Sequence, residues 1–402
     1  MRIPLSPAAD QWHAKLKHVS DWLIRYCLPI GWFVLLTGMF WVGERPRYHK
    51  LYYALLFFPT GMALVLYPYR IAKLLRNPLI LLSMAFTSYT AISVLWSGTG
   101  ESMFTMHLLY ILLLLLATCL MEIEAPGRLE NMTNAAALVA VLVAVGSLAY
   151  YFHTNSGGRL PGYGALYNPL LTAHVFGSFA AYWLARWSLE SRAVTMVPIL
   201  SFLALWIALM FTGSRTPLLA LCACLLWLVL LSWKRRFMVV TLVAILIAFY
   251  LHSVFPLEGL LSRGMSYRPA IWAEAIRQIK EHLWFGHGYT HPQVFLVDGI
   301  SDYCCADPHN IELAVLFSGG IVGLVLWLSM YLIAFLYSWR NRLKHAVVIA
   351  STMLVFGFVS GLTEGNAFFS RPKEHWFLIW IPFALLAAVW VGQRQDKCDE
   401  CA

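Results

Sequence analysis

The chain is written as apolar runs separated by polar connections. About twelve such runs recur, near residues 22–42, 51–67, 78–96, 104–121, 134–152, 170–188, 194–212, 216–232, 237–253, 309–337, 346–362 and 376–392. A bilayer core about 30 Å thick needs roughly 20 helical residues to cross it. Each run therefore reads as a transmembrane helix, because in lipid a spanning chain must satisfy its own backbone N–H and C=O groups. Short segments of alternating polarity, which would announce a membrane barrel, are absent. The expected fold is all-α: a polytopic membrane protein with about twelve transmembrane helices, forming a single integral membrane domain over residues 1–402. Most connections are short, but 254–308 is about 55 residues long, and long loops in compact proteins usually carry function. Within it Ile271, Trp272, Ala275, Ile276, Ile279 and Leu283 recur at helical spacing, with Glu274, Arg277, Lys280 and Glu281 elsewhere around the wheel. A short amphipathic helix lying on the outer membrane surface is expected there.

Composition sharpens this reading. Hydrophobic residues make up 60% and charged residues 12%, against roughly half and a quarter in soluble proteins. That removes a disordered chain and a two-domain cytosolic enzyme. The net charge of +9 reads here as positive-inside loops and contact with anionic membrane lipids, not as a nucleic-acid partner. With the N-terminus on side one, 17 of the 29 Lys and Arg fall on that side and 11 on the other, Arg25 lying inside the first run. Four of the 11 belong to the long loop, where charge counts little, which leaves 17 against 7. Both termini are thus expected in the cytoplasm and loop 254–308 in the periplasm. Residues 1–21 are polar and precede no small-residue cleavage site, so no cleaved signal is expected. Cys27, Cys119, Cys222 and Cys224 lie in apolar runs and act as small hydrophobes. Cys304 and Cys305 are adjacent in the long loop, and Cys398 with Cys401 form one C-x-x-C, a weak zinc signature without a second pair.

Several helices that begin on the outer side share one punctuation. Asn168-Pro169 opens the sixth run, Arg215-Thr216-Pro217 the eighth and Asp307-Pro308-His309 the tenth; Arg371-Pro372 precedes the twelfth, and Arg268-Pro269 opens the helix of the long loop. Proline suits the first helical position, and Asn, Asp, Ser or Thr caps before it. Each junction directs free N–H groups and a positive dipole end outward. One arginine at a helix end ordinarily snorkels to lipid phosphate. Here Arg215, Arg268 and His309 lie far apart in sequence yet share one membrane face, and Arg159 in Gly157-Gly158-Arg159-Leu160-Pro161-Gly162-Tyr163-Gly164 joins them. Helix N-termini with arginines bind anions, phosphate above all. The glycine stretch lets backbone approach a ligand, but no Gly-Lys-Ser/Thr follows to make it a nucleotide loop.

These residues resemble the O-antigen ligase and polymerase superfamily of bacterial envelopes. The matching stretches are Thr212-Gly213-Ser214-Arg215-Thr216-Pro217, Tyr267-Arg268-Pro269 with Ile271-Trp272, Gly286-His287-Gly288, Pro308-His309-Asn310 with Leu313, and Gly319-Gly320. The stretch around Arg159 and the Arg371-Pro372-Lys373 triplet look most like O-antigen ligases. The resemblance implies a GT-C-like, inverting, metal-independent glycosyltransferase of the bacterial inner membrane with a periplasmic active site and no cofactor. Its donor would be a glycan on undecaprenyl pyrophosphate, and its acceptor a sugar hydroxyl of the lipid A core.

The side chains suit that chemistry. Attack at an anomeric carbon needs a base for the acceptor hydroxyl, and histidine, with an ordinary pKa near ~6.5, is close to ideal. Arginine forks hold pyrophosphate by paired contacts and respond to the charge that grows on it as the bond breaks. His309 is accordingly the expected base, with Arg215 and Arg268 on the pyrophosphate. Arg159, Arg371 and Lys373 are further phosphate or sugar contacts, while Asn310 and Asp307 orient the histidine or cap its helix. Glu312, within a turn of His309, either pairs with an arginine or assists the histidine. The rival readings are an O-antigen polymerase, a protein O-oligosaccharyltransferase and, more distantly, a twelve-span transporter. Transport is disfavoured because no internal repeat and no paired mid-span carboxylates are visible. A divalent-metal site in the first outer loop is disfavoured too, since Gly43-Glu44-Arg45-Pro46-Arg47 holds one acid amid bases.

Overall fold

The computed structural model describes residues 7–98, 105–154, 158–190, 196–232, 267–297 and 307–399. Among them the secondary structure is entirely helical. The first run is a continuous helix, α1 (Pro7–Trp22) passing through a π-turn into α2 (Leu28–Trp41). The second joins α3 (Arg45–Tyr52) to α4 (Phe58–Leu66) in the same way. A short α5 (Ile71–Leu74) precedes α6 (Pro78–Ser93), α7 (Thr105–Glu124) and α8 (Arg128–His153). Then come α9 (Pro169–Leu189), α10 (Met196–Thr212) and α11 (Thr216–Ser232). The helix of the long loop is α12 (Arg268–Ile279), followed by α13 (Ile311–Arg340), α14 (His345–Gly361) and α15 (Trp380–Asp399).

Seven of the described helical stretches are long and apolar enough to cross a membrane. Helices α10, α11 and α14 are apolar but only 17 residues each, about 26 Å at 1.5 Å per residue. They surround α9, whose residues from Thr172 to Ala185 are buried without interruption. A helix apolar and buried on all sides belongs to the interior of a bundle, so α9 is its central post. Every expected run except 237–253 is helical; that run, residues 254–266 and 298–306 of the long loop with the Cys304-Cys305 pair, and Cys401 fall outside the described residues. Asparagine sets several helix starts: Asn77 and Asn168 each accept the N–H two residues on, at 2.9 Å, ahead of Pro78 and Pro169.

The tenth run departs from expectation. Its helix does not open at Asp307-Pro308-His309 but one residue after Asn310, whose side chain accepts the Leu313 N–H at 2.9 Å. It then breaks at Gly320, where φ is 60° and ψ −163°, a conformation essentially restricted to glycine. The break is clamped by the chain just after α12. The N–H groups of His287 and Gly288 donate to the carbonyls of Phe317 and Ser318, both at 2.9 Å. In return Ile321 and Val322 donate to the carbonyls of Leu283 and Trp284, at 2.9 and 3.2 Å. Backbone groups freed by the break are thus satisfied within the protein, as irregular chain in a membrane protein requires. The clamp leaves no room for side chains: a Cβ on Gly286 would lie 2.5 Å from the Gly320 nitrogen, and one on Gly320 would lie 2.4 Å from Trp284. Gly320→Ala is therefore expected to destabilise the protein by about 1–3 kcal/mol, seen as a lower midpoint of thermal unfolding in detergent. An unchanged midpoint would mean that the clamp is not needed.

Helix α12 also differs from a helix floating on lipid. Its stripe of Ile271, Ala275 and Ile279 packs with Phe295 and Phe317 into a small core of its own. The amphipathic face is spent on the first arm of α13, which fixes the polar edge of α12 over the end of the bundle.

Candidate active site

The connections at one end of the bundle meet around Glu364, which is 2% exposed in the turn after α14. Its Oε1 accepts from the Arg268 guanidinium and lies 3.5 Å from Thr216 Oγ1. Thr216 is 3.0 Å from Thr363 Oγ1, so the start of α11 is tied to the same turn. The other carboxylate oxygen, Oε2, faces His309 Nδ1 at 3.9 Å. That is longer than a hydrogen bond, but contacts of this kind commonly tighten when substrate binds. The three motifs that carry Arg215, Arg268 and His309 thus converge on one carboxylate.

Local sequence explains the convergence. Arg268 and Trp272 are four residues apart and share a face of α12. While Arg268 reaches Glu364, Trp272 Nε1 donates to the Pro308 carbonyl at 2.8 Å. His309 has φ of 49° and is the single non-glycine residue with positive φ among the described residues. Such backbone costs about 1–3 kcal/mol and gathers at functional sites. Asp307 Oδ1 accepts the His309 N–H at 2.7 Å and stabilises the turn. Asn310, besides capping α13, donates to the Leu362 carbonyl at 2.9 Å, so both ends of its amide are engaged. The following Gly365 has φ of 87°, and a Cβ there would come 2.4 Å from His375 Nε2; only glycine lets the Glu364 turn lie on that ring.

The remaining expected residues have separate neighbours. Arg159 Nε donates to the Thr212 carbonyl at 2.6 Å and packs beside Gly213, in the loop that carries Arg215. Arg215 is exposed and makes no ion pair among the described residues. Lys373 is half-buried and close to Glu374 and Asp307. Arg371 is exposed and lies toward His49 and His107. Glu312 takes neither expected part: it makes no ion pair among the described residues, and its carboxylate lies by Trp327 and Tyr331 beyond the break in α13.

Sequence reasoning missed Glu364, Glu374 and the partnership of Arg45. Glu374 is fully buried and accepts from Arg45 at 2.7 Å. The available signal was an acid just after an apolar run and beside a glycine, Glu364-Gly365, where lipid contact gives no reason for a carboxylate. Burial raises the Glu364 carboxyl above the ordinary glutamate value, and the charges of Arg268 and His309 pull against that shift. Its ionised form, which holds Arg268, is therefore lost at a higher pH than for an ordinary glutamate as the medium is acidified. Glu364→Gln is expected to lower activity on the order of 10²-fold and to remove that acid limb. A variant with unchanged rate and pH profile would make Glu364 a packing residue only.

Fold and site together define a polytopic helical membrane protein whose histidine, arginines and buried carboxylates are gathered at one end of the bundle. Residues 200–328 match the family model described as O-antigen ligase. The chain is also 48% identical over 385 residues to a protein of Pseudomonas aeruginosa PAO1 named O-antigen ligase, with 95% of each chain covered. The protein therefore belongs to the O-antigen ligase family, membrane glycosyltransferases of lipopolysaccharide biosynthesis.

Proposed function

We propose that this protein transfers O-antigen glycan from undecaprenyl pyrophosphate to a sugar hydroxyl of the lipid A core, at the periplasmic face of the bacterial inner membrane. The observation that carries the reading is the meeting of Arg268, His309 and the Arg215 loop on Glu364. The acceptor hydroxyl attacks the anomeric carbon from the side opposite the pyrophosphate and gives its proton to His309. The carbon–oxygen bond to pyrophosphate breaks, its electron pair leaves with the phosphate, and the anomeric configuration inverts. Arg268 and Arg215 hold the pyrophosphate, Arg159 supports them, and Arg371 and Lys373 meet further phosphate or sugar groups. Charge increases on the leaving oxygen as the bond breaks, so these cations bind the transition state more tightly than the ground state. Glu364 holds Arg268 in place and sets the His309 ring through Nδ1, which leaves Nε2 toward the hydroxyl.

The nearest alternative, polymerisation, uses the same donor with a different acceptor. The purified protein should be given lipid-linked glycan with and without lipid A core. Glycan appearing on the core supports the ligase reading; longer glycan on the lipid carrier, with or without core, would replace it by a polymerase.

A further inference from the structure

The end of the bundle away from Glu364 carries cations of its own. Arg45–Leu66 is one helical stretch of 22 residues, about 33 Å at 1.5 Å per residue. Its start is fixed at the site end: Arg45 bonds Glu374, next to the His375 ring on which Gly365 rests. Arg70, four residues past the stretch, therefore stands at the opposite membrane face.

Arg70 is 4% exposed and fully held. Its Nε donates to Glu124 at the end of α7 at 2.9 Å, and its other two nitrogens donate to Ser20 and Asp21 of α1. A buried cation so paired is costly to disturb, which makes it a fixed piece of wall. With Lys17, Tyr67, Tyr69, Lys73 and Glu124 it lines a cavity of about 290 Å³. The Tyr67 ring has two cations over it, Arg70 at 4.9 Å and Lys17 Nζ at 5.9 Å, an attraction that holds the Lys17 ammonium at the cavity. Lys17 and Lys73 are both exposed, and neither makes an ion pair among the described residues.

These residues select an anion with an apolar tail. Asp21 and Glu124 are engaged by Arg70, so the charge left over is that of the two lysines, whose N–H groups suit phosphate oxygens. Tyrosines such as Tyr67 and Tyr69 sit at the level of lipid headgroups. Above them, Phe58, Met62 and Val65 are exposed at 65%, 50% and 79%. Spaced four and three apart, they run down one face of α4 and stop just before Tyr67. That stripe offers a track for an acyl chain, which free phosphate would not use. We propose that Lys17, Lys73 and Tyr67, set against the Arg70 wall, bind the headgroup of an anionic phospholipid, its phosphate on the lysines and an acyl chain along α4. The bound lipid ties α1, α5 and α7 together at the face opposite the site.

The test uses the full-length protein in detergent, leaving Arg70 intact because it holds the fold. Phosphatidylglycerol and phosphatidylcholine of equal chain length are added, and bound lipid is counted by native mass spectrometry. The wild type should prefer phosphatidylglycerol by about twentyfold, and Lys17→Gln and Lys73→Gln should each reduce that preference about fivefold. Lys73→Arg should keep most of it. Lys344→Gln is the control: this exposed lysine lies at the same end, because α14 runs 17 residues from it toward the Glu364 turn. It should leave the preference unchanged. An equal loss there would mean general attraction to a basic surface and would overturn the site, as would equal binding of both lipids by the wild type. Phosphatidylglycerol should also raise the wild-type midpoint of thermal unfolding more than inorganic phosphate does. If phosphate alone raises it as far, the cavity serves a soluble anion and the lipid assignment fails.

Discussion

His309→Ala is expected to abolish glycan transfer while the protein still accumulates in the membrane. The two effects separate because the backbone, not the ring, anchors this residue. Its N–H is held by Asp307 Oδ1 at 2.7 Å, and the neighbouring Pro308 carbonyl by Trp272 at 2.8 Å. The ring reaches only toward Glu364, 3.9 Å away, and about a third of the side chain is exposed. Removing it leaves the turn and the α13 cap in place. Alanine carries much the same positive-φ cost that histidine already carries, because that cost comes from the Cβ both have, so little stability is lost. A general base contributes roughly 10²–10⁴-fold, so the lipopolysaccharide ladder should fall to background while an immunoblot of the membrane fraction stays near the wild-type level. A ladder of near-normal intensity would show that the proton goes elsewhere.

The second large effect belongs to the arginines. Arg215→Lys should lower transfer on the order of 10²–10³-fold, although the charge is retained. Lysine offers a point charge on a flexible stem, whereas the guanidinium offers a planar fork to two phosphate oxygens. Arg268→Lys should lose a similar amount for an added reason: lysine cannot bond Glu364 and phosphate together with the same geometry. The loss should fall more on kcat than on donor KM, since the leaving oxygen gains charge only as the bond breaks. If it falls on KM alone, these residues bind donor without assisting its departure.

How much of this was legible from the sequence depended on how local the cause was. Apolar runs announce helices because each span buries its own backbone bonds, and every described run is helical. Asn-Pro and Thr-Pro starts were legible for the same reason, as with Asn168 and Pro169. The start of the tenth run was misplaced because Asp307-Pro308 has the pattern of a cap, whereas Asn310 makes the capping bond. The break at Gly320 was invisible in hydropathy, since Ile311–Arg340 is apolar on both sides of it. Gly286-His287-Gly288 and Gly319-Gly320 stood out as separate motifs, but their mutual hydrogen bonds are a tertiary fact. The same holds for the amphipathic stripe of α12, which says that a face is buried and not whether lipid or Phe317 covers it. At the site, cations were easy to find because an arginine at the end of an apolar run stands out. Their carboxylate partners were not. Glu364 and Arg268 are 96 residues apart, and Glu374 and Arg45 are 329 apart, so no local pattern pairs them.

Stereochemistry offers the most direct test of the central claim, because a base-assisted single displacement and its rivals leave different linkages. Purified protein in lipid nanodiscs, lipid-linked glycan of known anomeric configuration and lipid A core should be combined in EDTA. The new glycan–core linkage is then assigned by NMR. The account predicts core-linked glycan with inverted configuration, formed without divalent metal. A retained configuration, or product that appears only when metal is added back, would contradict it.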